Sequence, residues 1–181
     1  KIKIFLKNKI PSNKKKEDPF FFYFHSFDFL NDLQEISKES LRIYGRELTS
    51  YWIKKNSSWK SNTWEDFILA TRICNWIKNF NFFFITADEE FKKNIFNSIS
   101  KQVEHLVKNF SNPKRNSDLI RIIKALIYAS ITIPNKKYYY QIAIFNLKSE
   151  LTKQILNDGC HFQRNPKIHL QVLMDLLDIR T

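Results

Sequence analysis

The densest group of side chains able to do chemistry lies in one short segment, between Gly159 and Pro166. It contains His161, Gln163 and Arg164, which offer an imidazole, an amide and a guanidinium. A guanidinium presents a planar fork of donors that suits a carboxylate. The segment is therefore predicted to bind an acidic ligand. Two structural alternatives stay open: Arg164 pairs with Asp158 or a helix C-terminus, and His161 packs within the loop.

A second candidate pair is Arg72 and Trp76. The two residues are four positions apart, so they share one face if this segment is helical. The face of an indole suits the apolar C–H surface of a sugar ring, and the neighbouring guanidinium would add a charge. The pair is thus a candidate carbohydrate contact, with packing of Trp76 in the core as the alternative. Cys74 and Cys160 lack metal-ligand spacing, and neither a metal site nor a cofactor is predicted.

Helices must position these residues, because the chain has only two glycines among 181 residues, too few for a fold built from hairpin turns. Apolar residues recur every three or four positions in six segments. These segments are Leu41 to Tyr51, Phe67 to Ile77, Ile95 to Phe110, Leu119 to Ala129, Ile144 to Ile155 and Leu170 to Leu177. A shorter helix is expected from Phe27 to Ile36. The sequence predicts an all-α fold of antiparallel hairpins, and periodicity alone leaves open a bundle, a solenoid or a ring.

Local signals predict several helix ends. Thr63 and Asp66 have the spacing of a capping box, and the segment Thr86-Ala87-Asp88 looks like the start of another helix. Asp158 and Gly159 are expected to end one helix, because glycine readily adopts a left-handed conformation. Asn165 and Pro166 are expected to begin the next.

A formal charge of +12 favours an anionic partner. The abundance of Lys, Asn, Ile and Phe together also fits an AT-rich genome, and no nucleic-acid recognition motif accompanies the charge, so nucleic acid ranks last among the partners. No apolar run is long enough to span a bilayer, and these residues contain no signal peptide. The compartment stays unassigned. Because the first residue is Lys1, we expect a piece of a longer protein.

Several motifs, in order, resemble the N-terminal helical region of heparinase II/III-like proteins, and most closely the bacterial branch of that family. The resemblance covers about His25 to Arg180. Its motifs are His25–Leu33, Arg72–Ile77, Gln102, Lys124–Leu126 and, most specifically, Asp158–Pro166, which matches a family loop of the Asp-Gly-Gly-His type followed by Arg, a small residue and Pro.

The resemblance implies an incomplete α/α toroid over residues 25–181, preceded by a basic and aromatic leader over residues 1–24. In relatives a C-terminal β-sandwich domain, absent from this sequence, follows the toroid as a partner. Better-known relatives are polysaccharide lyases that act on uronic-acid polymers by β-elimination, and many are periplasmic.

The resemblance also carries the catalytic candidates, although it assigns no residue outright. The Tyr–His pair of lyase relatives aligns with Ile168 and His169, and their neutralising Asn aligns with Ser117, or with Asn116 after a one-residue shift. Asn116 and His169 are therefore the candidates, with an N-cap as the alternative role for Asn116. The function expected is a helical domain that binds acidic, uronate-containing polysaccharide. The alternative is a noncatalytic domain that binds glycan or protein during envelope polysaccharide handling.

Overall fold

A computed structural model describes residues 19–59, 62–110, 118–134 and 136–180. Within these ranges the chain forms nine α-helices and one isolated bridge, between Ile155 and His161. The all-α prediction is confirmed. In chain order the helices are α1 Pro19–His25, α2 Phe29–Ile36, α3 Glu39–Lys55, α4 Asp66–Lys78, α5 Phe80–Phe84, α6 Glu89–Asn109, α7 Leu119–Thr132, α8 Tyr138–Gln154 and α9 Pro166–Arg180.

Two helices, α4 and α7, form the centre of the domain. Helix α4 packs against α1, α2, α5, α6 and α7, whereas α7 packs against α4, α6, α8 and α9. Both are apolar around most of their circumference; in α4 the residues from Ile68 to Trp76 are all buried. A helix that is apolar all round belongs inside a domain rather than at its surface.

Ion pairs and hydrogen bonds show the direction in which neighbouring helices run. Arg121 and Lys124 of α7 pair with Asp175 and Asp178 of α9, so a step of three along one helix matches a step of three along the other. The same two α7 residues lie beside Thr71 and Cys74 of α4. Helices α4, α7 and α9 therefore lie side by side in the same direction.

The intervening helix α6 runs the opposite way to α4. Gln102 accepts from Arg72 Nε at 2.7 Å, while His105 lies 3.6 Å from Asp66. A row of parallel helices linked through antiparallel ones is compatible with the predicted toroid. The toroid itself and the division at residue 24 stay predictions; helix α1 crosses that division.

Two predicted helix ends are confirmed and two are wrong. Asp88 caps α6 by accepting from the Phe91 amide at 2.7 Å, and Asn165 accepts from the Lys167 amide at 3.0 Å where α9 begins at Pro166. The capping box is not formed, because the Thr63 hydroxyl donates to Asn56 Oδ1 instead. Helix α8 ends at Gln154, earlier than predicted, since Ile155 turns extended and forms the bridge.

Every helix in the described ranges is too short or too polar to cross a bilayer. The aromatic run before His25 contributes to the core, since Phe21 and Phe24 are buried. Phe22 stacks on Phe67 of α4, with ring centroids 5.6 Å apart.

Candidate functional site

The segment from Ile155 to Asn165, here called the α8–α9 loop, is a compact hydrogen-bonded turn. The Leu156 amide donates to the Cys160 carbonyl at 2.9 Å, and the Gly159 amide donates to the Leu156 carbonyl at 2.8 Å. Gly159 has a φ of 81°, a left-handed conformation that residues with a β-carbon adopt at a cost. The glycine is thus used as predicted, although it lies inside the turn rather than directly after the helix.

Arg164 and Gln163 lie at the surface of this loop, and Arg164 has a positive φ of 51°. The Arg164 guanidinium donates to the Asp158 carboxylate, which is one of the alternatives that the sequence left open. This hydrogen bond lowers the pKa of Asp158 from its usual value, and it raises the pKa of Arg164. Within the loop, the charge of Arg164 is therefore largely balanced by Asp158.

His161 is fully buried beneath the loop. Its Nδ1 accepts a hydrogen bond from the Gln163 amide at 3.3 Å, and its Nε2 lies 3.2 Å from Gln154 Oε1. The His161 amide in turn donates to Nδ1 of His169 at 3.2 Å. Burial, and then the charge of His169, lower the pKa of His161. The imidazole of His161 holds the loop together and is not presented to solvent.

Arg72 and Trp76 share a face of α4, as predicted, and that face is completely buried. Arg72 donates to Gln102 at 2.7 Å and to the carbonyl of His25 at 2.8 Å, and its guanidinium lies 4.1 Å from the centre of the Trp52 ring. Burial lowers the pKa of Arg72 well below its usual value. In this conformation a sugar ring has no access to either side chain, so both act in packing.

The two catalytic candidates have different places. Asn116 lies outside the described residues. His169 is half-buried on the first turns of α9, where its Nδ1 is occupied by the His161 amide.

A cavity of about 300 Å³ lies between the three parallel helices α4, α7 and α9. Most of its polar residues had no predicted role, although Lys124 belongs to a motif of the resemblance. The sequence signal for them was the pair Arg121 and Lys124, which lie three positions apart and are the two charged residues of the largely apolar helix α7. The residues that line the cavity are Cys74, Asn75, Lys78, Arg121, Lys124, Tyr128, Lys167, Leu170, Gln171, Met174, Asp175 and Asp178.

An ion-pair network forms the wall of this cavity. The Asp175 carboxylate is buried and accepts from Arg121 Nε at 2.7 Å and from Lys124 Nζ at 3.1 Å; Lys124 also donates to Asp178. Burial lowers the pKa of Lys124, but its interactions with the carboxylates of Asp178 and Asp175 raise it more, so the pKa of Lys124 lies above its usual value. Because the shift is upward, Lys124 is charged and the network is at full strength at neutral pH.

Two cations of the cavity remain without a carboxylate partner among the described residues. Lys78 is the last residue of α4 and Lys167 is the second residue of α9, and both line the same cavity. Arg121 and Lys124, by contrast, are balanced by Asp175 and Asp178. Tyr128 adds a phenol, whose pKa is raised by burial and which is therefore protonated at neutral pH. The cavity can attract an anion through Lys78 and Lys167 while Tyr128 offers a hydroxyl.

Cys74 and Cys160 differ in environment. Cys74 is buried at the wall of the cavity and Cys160 is exposed in the α8–α9 loop. Burial raises the pKa of the Cys74 thiol to about 12, so the thiol is protonated and unreactive near neutral pH. Within the described ranges, His, Cys, Asp and Glu side chains form no group suited to holding a metal ion.

The architecture is that of an all-α domain with a cationic cavity between parallel helices and a structured turn at the start of the last helix. A family model, Heparinase II/III N-terminus, matches residues 39–181. The chain therefore belongs to this family, as its motifs indicated. The match includes the α8–α9 loop and all three helices around the cavity. Neither a curated protein nor a solved structure matched the chain.

Proposed function

We propose that this domain binds an acidic, uronate-containing polysaccharide, and that the cavity between α4, α7 and α9 holds one of its carboxylates. The observation that carries this proposal is the pair of uncompensated cations, Lys78 and Lys167, on one polar cavity. Family membership adds support, because the heparinase name denotes action on an acidic polysaccharide.

Charge balance favours a polymer of low charge density. The cavity has four cations, Lys78, Arg121, Lys124 and Lys167, and two carboxylates, Asp175 and Asp178. Once the carboxylates of Asp175 and Asp178 are balanced by Arg121 and Lys124, two lysines remain for the ligand. One or two carboxylates in adjacent sugars would match them, whereas a heavily sulfated chain would present more negative charge than the cavity can neutralise.

Apolar side chains at the cavity suit the sugar rings themselves. Leu170 and Met174 lie on the cavity side of α9, and both are well exposed. Together with Tyr128 they offer a surface for C–H groups, while Lys78 and Lys167 contact carboxylates. Arg164 and Gln163, at the surface of the α8–α9 loop close in sequence to Lys167, are proposed to contact a further part of the same polymer.

A second candidate is a noncatalytic role in which the domain binds glycan without cleaving it. The observation in its favour concerns the proton-transfer positions of lyase relatives. Ile168 cannot transfer a proton, and Nδ1 of His169 is occupied by a backbone amide. The two candidates share the same binding site and differ in whether unsaturated sugar is produced, which absorbance of the product detects.

Replacement of Lys78 and Lys167 by Gln tests the binding site. Two lysine–carboxylate contacts of roughly 0.5–1 kcal/mol each correspond to a loss of affinity of about five- to thirtyfold for an unsulfated polyuronate. Calorimetric titration at constant ionic strength measures this loss. The carboxyl-reduced polymer should bind the original domain no more tightly than the unmodified polymer binds the lysine variant.

The matched control is the double variant Lys93→Gln, Lys148→Gln, which removes the same charge from exposed positions outside the cavity. We expect it to change affinity by less than about twofold. Equal losses in both double variants would show that general basicity attracts the polymer. Unchanged affinity in the cavity variant would remove the cavity from the site.

A further inference from the structure

Two imidazoles stabilise the α8–α9 loop, and each accepts a backbone hydrogen bond at its own Nδ1 atom. Nδ1 of His161 accepts the Gln163 amide at 3.3 Å, and Nδ1 of His169 accepts the His161 amide at 3.2 Å. Both acceptors must be unprotonated at Nδ1, because a nitrogen that carries a hydrogen cannot accept one. The loop geometry therefore requires both histidines to be neutral.

The hydrogen bond at the other ring nitrogen of His161 requires the same tautomer, with the hydrogen on Nε2. Gln154 Nε2 donates to the Glu150 carboxylate at 2.9 Å, so the amide oxygen of Gln154 faces the imidazole. That oxygen lies 3.2 Å from His161 Nε2, which must carry the hydrogen. An additional proton on His161 could then go only to Nδ1, where the Gln163 N–H already points.

The surroundings offer little compensation for a charged imidazole. The charged side chains of the elements that pack around the loop are Lys148, Glu150 and Lys153 on α8, Asp158 and Arg164 in the loop, Lys167, Asp175, Asp178 and Arg180 on α9, and Arg121 and Lys124 on α7. Glu150 is engaged with Lys153 and Gln154, and Asp158 is engaged with Arg164. Among the described residues no carboxylate contacts His161 or His169. Burial lowers the pKa of His161 in agreement with this arrangement.

We propose that the α8–α9 loop is a latch that opens in acid, when proton uptake at Nδ1 of His161 and His169 expels the two backbone donors. Opening releases the segment that carries Gln163 and Arg164 and loosens the first turn of α9, where Lys167 lies. The latch stands on the hydrogen bonds alone. Its consequence, weaker binding at Lys167 in acid, rests on the proposed function.

Hydrogen exchange of the backbone amides of His161 and Gln163 tests the latch. Between about pH 7.5 and about pH 5, a range that contains the usual histidine pKa, protection of both amides should fall at least tenfold after correction for intrinsic exchange. Amides in the centre of α4 and α7 should keep their protection. Unchanged protection of the two loop amides over this range would overturn the proposal.

The variants His161→Asn and His169→Asn give the matched comparison. The side-chain oxygen of Asn can replace Nδ1 as an acceptor but takes up no proton in this range. Consider a variant in which the loop amides stay protected from exchange at neutral pH. The amide that donates to the new Asn should then keep its protection in acid. If its protection falls as much as in the original protein, the proposal is overturned. If His161→Asn does not fold, hydrogen exchange in His169→Asn and in the original protein still tests the latch. His105→Asn, on α6, should leave the acid response intact.

Binding of polyuronate in the same pH range separates the two proposals. Loop opening with weaker binding supports both. Loop opening with unchanged binding supports the latch and overturns its regulatory consequence. Absence of binding at every pH contradicts the proposed function and leaves the exchange result to decide the latch.

Discussion

At the scale of single residues, the neighbours of a cation decide what it can bind. Arg72 directs its donors to neutral groups in the core, Arg121 and Lys124 face Asp175, and Arg164 faces Asp158. All four are thus engaged within the domain. Lys78 and Lys167 lack such a partner in the described part of the chain, which is why they are the proposed contacts to the carboxylate in the cavity.

Asp175→Asn should destabilise the domain strongly. The carboxylate is 1% exposed and accepts from two cations, so its neutralisation leaves the partly buried Arg121 and part of the charge of buried Lys124 without compensation. Loss of one partner of a buried ion pair typically costs about 3 kcal/mol or more. Urea unfolding followed by circular dichroism measures this cost as a change in the free energy of unfolding.

Glu104→Gln is the control for Asp175→Asn, because it makes the same chemical change in an exposed pair. Glu104 lies 3.1 Å from Lys136, with half of its side chain accessible. The expected cost is below about 1 kcal/mol. Similar costs for the two variants would contradict the central role given to the Asp175 network.

The burial of Arg72 and Trp76 shows what residue spacing can predict. A spacing of four placed them on one face of a helix, and they are on one face. Which faces are exposed depends on how many elements surround the helix, and α4 has neighbours on nearly every side. Hydrophobic periodicity predicts the exposed face of a helix at the surface, but it predicts no exposed face for a helix that is enclosed on all sides.

At the scale of elements, the α8–α9 loop joins two helices through interactions that sequence patterns indicate only in part. Asn165 and Pro166 indicated the start of α9, and Gly159 indicated the position of the turn. The early end of α8 was missed, because it depends on a pairing of Ile155 with His161 across the loop. Such pairings carry no local sequence signature, whereas caps and turns do.

The two glycines of the chain should respond to alanine in opposite ways. Gly159 has a φ of 81°, so Gly159→Ala forces a residue with a β-carbon into the left-handed region at a cost of roughly 1–2 kcal/mol. Open space surrounds it, and hence the cost comes from the backbone. Chemical denaturation monitored by circular dichroism measures the loss.

Gly45→Ala is the counterpart within α3. A β-carbon there would lie 3.5 Å and 3.6 Å from side-chain carbons of Leu30 and Leu33, which is ordinary contact. Alanine is favoured over glycine in a helix interior by up to about 1 kcal/mol, so this variant should be as stable as the original or more so. A loss in Gly45→Ala equal to that in Gly159→Ala would contradict the backbone argument.

At the scale of the whole molecule, two of the places where helices from distant parts of the sequence meet bear on the binding site and on stability. One is the cavity, where α4, α7 and α9 are joined by the Asp175 network. The other is an aromatic cluster in which Trp52 of α3, Trp76 of α4 and Phe27, between α1 and α2, pack edge to face. The sequence predicted the helices but left their arrangement open, because these contacts join residues far apart in the chain. Family motifs, rather than periodicity, indicated the toroid.

Trp76→Ala should lower the stability of the entire domain and not affect one surface alone. The indole is fully buried between elements that the cluster joins, and removal of such a side chain costs roughly 3–5 kcal/mol. Trp59→Ala is the control, since Trp59 is 62% exposed and its removal should change stability by less than about 0.5 kcal/mol. Thermal and urea unfolding of both variants measure the difference. If Trp76→Ala kept its stability and lost affinity for polyuronate, the side chain would be a sugar contact, and the packing role derived from its burial would be wrong.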